Sequence, residues 1–240
     1  MIRLYVDVDL AEGREIALPD AQARYLVQVM RRGPGDEVLV FNGRDGEWGA
    51  RIVAAGKRAT TLEVVDQTRV QPPPSGIVLV MALVKRTPLE TVIAKSVELG
   101  VSEIRLVTTE RTNADHTRID RLEAIATEAA EQTGRLDVPR ILAPEPLVRV
   151  LDAQPGRGRL IFCDEAGDAP PLLEILGGQA AGHLAVLIGP EGGFSASERA
   201  GLRSRNGVIV VSLGPRILRA DTAALSALTL VQAVLGDWRT

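Results

Sequence analysis

Residues that build covalent or metal frameworks are scarce in this sequence. Cys163 is the only cysteine, so an internal disulfide is excluded and a reducing compartment is expected. It closes the apolar run Leu160-Ile161-Phe162-Cys163, which predicts a buried core thiol and not a nucleophile. The two histidines, His116 and His183, lack metal-ligand spacing and mark no base, so no metal is expected. No apolar run is long enough to cross a bilayer, and no basic and then hydrophobic leader opens the sequence. Both absences point to a cytoplasmic protein without a membrane partner. The patterns G-x-G-x-x-G and G-x-x-x-x-G-K-[ST] are missing too, which argues against a pyrophosphate cradle and a nicotinamide oxidoreductase.

Lysine is rare as well. Lys57, Lys85 and Lys95 are the only three, and arginine carries nearly all the positive charge. The net charge of −3 speaks against a protein that coats nucleic acid nonspecifically. Arginine's planar, bidentate donors suit phosphate and stacked bases, so a local RNA site stays open; a GC-rich coding bias explains the same composition. With 240 residues, 45% hydrophobic and 25% charged, the chain has the make-up of a globular protein of one large domain or two ordinary ones.

What is present divides at Pro72-Pro73-Pro74-Ser75-Gly76, a stiff linker. Before it, strand-like runs at 4–6, 37–41, 49–53 and 60–65 and the turn pairs Asn42-Gly43 and Asp45-Gly46 predict a small β-rich unit. One helix, from Asp20 to about Met30, interrupts it. After the linker, strands and helices alternate. Strands are expected at 77–84, 104–107, 160–163, 184–188 and 208–213, with helices from Pro88 to Leu99 and Arg118 to Thr133. Ser195-Ala196-Ser197-Glu198 forms a capping box that predicts a further helix start. The final helix, Asp221 to Leu235, is apolar all round, so it needs cover on every side: the sheet on one, a partner subunit on another.

Two glycine-bearing loops carry the functional signal. Leu187-Ile188-Gly189-Pro190-Glu191-Gly192-Gly193-Phe194 and Leu213-Gly214-Pro215-Arg216-Ile217-Leu218-Arg219 each follow a buried strand and precede a helix. Repeated within about thirty residues, this device suggests two backbone walls of one site at the carboxyl edge of a parallel sheet. Glycines there let a ligand approach the main chain and permit positive φ. Exposed backbone groups then suit an adenine edge, flanked by the apolar Leu187, Leu213, Ile217 and Leu218. Each loop alone reads sooner as an ordinary tight turn than as a ligand site; the pair at one sheet edge is what points to a ligand.

The stretch L-I-G-P-E-G-G-F-S-x-x-E, followed by S-L-G-x-R-I-L-R-x-[ED]-T-A, resembles the ribosomal small subunit methyltransferase E family of the SPOUT superfamily. The resemblance runs the whole length, through Val29-Met30-Arg31, Phe41-Asn42-Gly43, Lys95 to Val101, Glu110-Arg111, Glu131-Gln132 and Arg135. It implies an α/β fold: a SPOUT-type trefoil-knotted parallel sheet with helices on both faces, preceded by a small PUA-like β-barrel. On that reading, residues 1–71 form the RNA-binding barrel and 72–240 the methyltransferase domain with its C-terminal knot. It implies a homodimer in which S-adenosyl-L-methionine lies at the subunit interface. The implied reaction is methylation of N3 of a uridine in 16S rRNA of the assembled small ribosomal subunit. The chain departs from the family pattern at Arg86-Thr87-Pro88, at Ala94 and at Ala220-Asp221.

By resemblance, the cofactor is held by Leu187, Ile188, Gly189, Pro190, Glu191, Gly192 and Gly193 of the first loop. From the second come Ser212, Leu213, Gly214, Arg216, Ile217 and Leu218. Uracil N3 bears a weakly acidic proton that must leave before or during attack, which calls for a cation beside the anion and a carboxylate for the proton. Arg219, with Arg216 and Arg111, is a candidate for the first role; Asp221 and Glu191 are candidates for the second. Asp221 also falls where a helix cap is expected. Arg31, Lys95, Arg111, Gln132 and Arg135 are the candidate RNA contacts on family motifs, and Arg3, Arg24 and Arg32 are further candidates for phosphate. The competing readings are a related methyltransferase acting on tRNA or a ribose 2′-hydroxyl, and a non-catalytic RNA-binding assembly factor.

Overall fold

The computed structural model describes residues 1–56, 59–113, 117–153, 159–166 and 168–239. His116 lies outside them. The chain forms two compact units: Met1–Pro73 together with Ala130–Val138, and Pro74–Ala129 together with Pro139–Thr240. The short segment Ala130–Val138 returns to the first unit although it lies far along the chain, which no local pattern announces.

The first unit is a five-stranded sheet, with β1 (Arg3–Tyr5), β2 (Glu15–Ala17), β3 (Glu37–Phe41), β4 (Glu47–Ala55) and β5 (Thr60–Arg69) in the order β1-β3-β4-β5-β2. The β1–β3 pair is parallel and the others antiparallel. Helix α1 (Asp20–Arg24) runs on into a wider helical turn at Tyr25–Val29. Alternation puts Val38, Val40, Ile52, Leu62 and Val64 on one buried face, with Ala23 and Leu26 packed in the same cluster. Strand β2 went unforeseen because three residues carry too little alternation to read.

A charged knot of side chains closes this unit. Arg3 donates from Nε to Glu47 (2.8 Å) and from its terminal nitrogens to the carbonyls of Ala130 (2.9 Å) and Glu131 (3.0 Å). Arg69 donates to both Glu47 oxygens, at 2.9 and 2.8 Å. Burial opposes ionisation of Glu47, but the bonds from Arg69 and Arg3 outweigh it and hold the carboxyl at about 2. Arg3, one of the further candidates for phosphate, is instead consumed internally, its side chain only 11% exposed.

The second unit is a parallel six-stranded sheet. Its elements are β6 (Ile77–Ala82), α2 (Arg86–Glu98), β7 (Glu103–Thr108), α3 (Ile119–Thr133), β8 (Arg140–Pro146), α4 (Leu147–Asp152), β9 (Leu160–Cys163), α5 (Leu172–Leu176), β10 (Leu184–Ile188), α6 (Ala196–Ser204), β11 (Val208–Val211) and α7 (Ala220–Leu235). The strand order is β11-β9-β10-β6-β7-β8, so β10 inserts between β9 and β6. Every residue of β9 and β10 is buried, as central parallel strands require. Val80, Ala82, Ala185, Leu187 and Phe162 pack with Leu147, Val150 and Leu151 of α4 and Leu202 of α6. The alternate residues of those strands face the other way, where α7 packs on β10 and against α2 and α5.

Strand β8 was missed because Pro144 and Pro146 break its pattern, which an edge strand tolerates. Helices α4 and α5 are six and five residues long, too short for a helical period to show. The runs expected to reach residues 84 and 213 leave the ladder at Ala82 and Val211 and turn into loops. The capping box is present: Ser195 Oγ accepts from Glu198 N, and the Glu198 carboxylate accepts from Ser195 N. Among the described residues no helix is long and apolar enough to cross a membrane.

Candidate functional site

The insertion of β10 between β9 and β6 places the loops after β9, β10 and β11 around one opening at the carboxyl edge of the sheet. A cavity of about 440 Å³ lies there, within the range of small-molecule sites. From the first glycine loop it is lined by Ile188, Gly189, Pro190, Glu191 and Gly193. From the second come Ser212, Leu213, Gly214, Arg216, Ile217 and Leu218, with Arg219 beside them. The two loops are therefore walls of one cavity, as their shared grammar suggested. Leu187 is fully buried in the core and, like Gly192, is not part of the lining.

The glycines have different physical reasons. Gly193 and Gly214 take φ of +65° and +108°, the left-handed region that side chains avoid. Gly189 does not: a Cβ there would lie 2.6 Å from the Phe194 ring, which stacks edge-on against Phe162 beneath the loop. A Cβ on Gly192 would meet Arg111, whose Nη1 donates to the Gly192 carbonyl at 3.1 Å. So Arg111 braces the first loop from the end of β7. Glu191 reaches toward the end of β6, its Oε1 3.4 Å from the Lys85 amide.

Asp221 stands apart from the other candidate acid. It sits in the first turn of α7, one residue inside the helix, and its carboxylate accepts from Thr222 N at 2.8 Å. It is not part of the cavity wall. The helix N-cap is Arg219, which makes no side-chain cap. Arg31 is exposed in the first unit at φ +53°, the only described non-glycine residue with positive φ. Gln132 is exposed in that unit, whereas Arg135 lies bidentate on Asp137 at 2.9 and 3.0 Å with little exposure. Lys95 is exposed in the second unit and pairs with Glu98 at 2.7 Å.

Sequence reasoning missed a third wall, made by Cys163 at the end of β9 and Asp164, Glu165 and Ala166 after it. The signal was available: two carboxylates directly after a fully buried parallel strand sit at the edge where ligands bind. Cys163 is a buried thiol, as expected, and burial pushes it up to about 12. Among the described residues no group of acids, histidines and cysteine is arranged to hold a metal.

An RNA methyltransferase domain model matches residues 71–232, and an RNA methyltransferase PUA domain model matches residues 18–65. The ribosomal RNA small subunit methyltransferase E of Rickettsia conorii is 30% identical over 96% of this chain and 94% of its own length. The chain belongs to that family. The namesake from a Synechocystis strain is 34% identical over 92% of this chain and 73% of its own. A crystal structure of the Neisseria gonorrhoeae family member, bound to S-adenosyl methionine, superposes with TM-score 0.88 at 30% identity, covering 99% of both chains. A methyltransferase from Legionella pneumophila in complex with the same cofactor gives 0.85 at 31% identity, covering 98% of both.

Proposed function

We infer that this protein is an S-adenosylmethionine-dependent methyltransferase of small-subunit ribosomal RNA, and that its target atom is N3 of a uridine in 16S rRNA. One observation carries the reading: both glycine loops of the family line a single cavity of cofactor size, with no phosphate cradle. The lining fits the cofactor. Exposed backbone of Gly189, Gly193 and Gly214 suits a purine edge, and Leu213, Ile217 and Leu218 supply apolar cover. The bound cofactor supplies an electrophilic methyl group on a sulfonium. The protein's own share is to hold the uracil in line and to manage its proton.

Arg219 and Arg216 stand on the cavity wall and make no ion pair among the described residues, so their charge is available to a uracil anion. Glu191, the lining carboxylate of the first glycine loop, makes no ion pair among the described residues and takes the proton; Asp221, outside the lining, accepts from Thr222 N at the helix start. Arg31, Gln132, Lys95 and Arg111 are the side chains offered to RNA, and Arg135 orders its own turn through Asp137. The target base is unstacked to enter, which favours a structured subunit over free duplex.

The loops after β9, β10 and β11 are read as a trefoil knot, supported by the insertion of β10 between β9 and β6. A homodimer of cytoplasmic protein completes the proposal. It is supported by Ile217 at 85% and Trp238 at 53% exposure, and by the half-buried Leu225, Leu230 and Val234 of α7. The test uses radiolabelled cofactor and assembled small subunits lacking the modification, with primer extension across the 3′ region of 16S rRNA. One new stop is expected. Transfer to tRNA or to a ribose hydroxyl instead would overturn the target, and binding without transfer to any RNA would leave an assembly factor.

A further inference from the structure

The third wall of the cavity is held in a way that no loop glycine requires. Asp164 is fully buried, with 0% of its side chain exposed, and two arginines of α6 converge on it. Arg199 donates from Nε to Oδ1 at 3.0 Å; Arg203 donates to Oδ2 from Nε at 2.9 Å and Nη2 at 2.7 Å. The backbone amide of Asp164 donates to the Val211 carbonyl at 2.9 Å, which ties the turn to β11. Arg199 also bonds Glu165, and Arg203 bonds Asp168 through Nη1 at 2.9 Å. Three carboxylates against two guanidiniums leave this cluster with one negative charge in excess.

Glu165 is where that excess meets the ligand space. Its side chain is a third exposed and lines the cavity. A Cβ built on Gly193 would lie 2.5 Å from Glu165 Oε1, so the carboxylate is pressed against the backbone of the first glycine loop. The other charged groups of the wall are Asp164, Glu191, Arg216 and Arg219; Glu191 sits on the loop after β10 and both arginines on the loop after β11. Only Asp164 and Glu165 are fixed by ion pairs to a helix; the others make no ion pair among the described residues.

We propose that Glu165 is a specificity residue for the cofactor's charge, held in place by Arg199 and by the Arg199–Asp164–Arg203 clamp. A fixed carboxylate in a partly desolvated cavity favours a cationic ligand over a neutral one of the same shape. The cofactor carries a sulfonium and its demethylated product carries a neutral thioether, so the residue favours substrate cofactor over spent product. This rests on the reading of the cavity as the S-adenosylmethionine site.

The test is calorimetry on the full-length protein with S-adenosylmethionine, with S-adenosylhomocysteine, and with sinefungin, whose ammonium stands in for the sulfonium. Glu165→Gln keeps the shape and removes the charge. It is expected to weaken the two cationic ligands about tenfold and to leave the neutral one within about twofold. Equal weakening of all three, or no change in any, overturns the proposal. Should Glu165→Gln fail to fold by circular dichroism, the wild-type protein still decides. It must prefer sinefungin to S-adenosylhomocysteine, and equal affinity for the two refutes a charge origin. A wild-type protein that binds none of the three refutes the cavity assignment itself.

Discussion

The two glycine loops share a grammar and differ in how they are held. The first is buttressed: Phe194 lies under Gly189, Arg111 grips the Gly192 carbonyl, and Ser195 caps the helix that follows. The second is open. A Cβ on Gly214 would meet nothing within 4 Å, Ile217 is 85% exposed, and Arg219, the N-cap of α7, makes no side-chain cap. The two loops thus make a braced wall and an open one. A pocket that must admit a cofactor and then a base benefits from having one of each.

The largest effect expected from this contrast is at Gly189. Gly189→Val drives a branched side chain into the Phe194 ring, so stability should fall by about 3 kcal/mol and cofactor binding should disappear. Denaturant unfolding and calorimetry on the same sample check both; undiminished binding would break the site assignment. The control lies in the first unit, at Glu47. Its carboxyl is held at about 2 against an ordinary 4.5, so it contributes roughly 3 kcal/mol at neutral pH. A depressed carboxyl stabilises above its unfolded value, and that contribution is lost as pH falls from about 4.5 toward 2. Glu47→Gln should therefore lose stability at neutral pH, flatten its acid dependence, and leave cofactor affinity untouched.

Gly214 should behave differently from Gly189. There the cost of a side chain is backbone strain alone, so Gly214→Ala should destabilise by only about 1–2 kcal/mol while still weakening the cofactor. Equal stability losses at the two glycines would erase the distinction between the loops. The smallest effect expected is at the helix starts. Ser195→Ala removes a cap worth about 1 kcal/mol, whereas Arg219→Ser adds one where none exists. Arg219→Ser should raise the melting temperature slightly and lower methyl transfer, the signature of a site residue kept at a cost in stability. A stabilised variant with full activity would remove Arg219 from the mechanism.

Much of this was legible in the sequence because it rests on local rules. The all-apolar runs at 160–163 and 184–188 announced central parallel strands, and both are buried throughout. Ser195 and Glu198 announced a helix start through a reciprocal bond three residues apart. Arg3 shows the limit. Its type suggests phosphate, yet it caps carbonyls near residue 130, a partnership more than a hundred residues away that no window can see.

By itself the sequence determined the strand and helix alternation, the positions of the two loops and their likeness to one family. Those follow from periodicity and from glycine and proline chemistry, which act within a few residues. The tertiary structure alone decided that both loops line one cavity, that Asp164 and Glu165 belong to its third wall, and that Asp221 lies outside the lining. Each of these depends on β10 entering between β9 and β6, and strand order is a long-range choice that local chemistry does not encode.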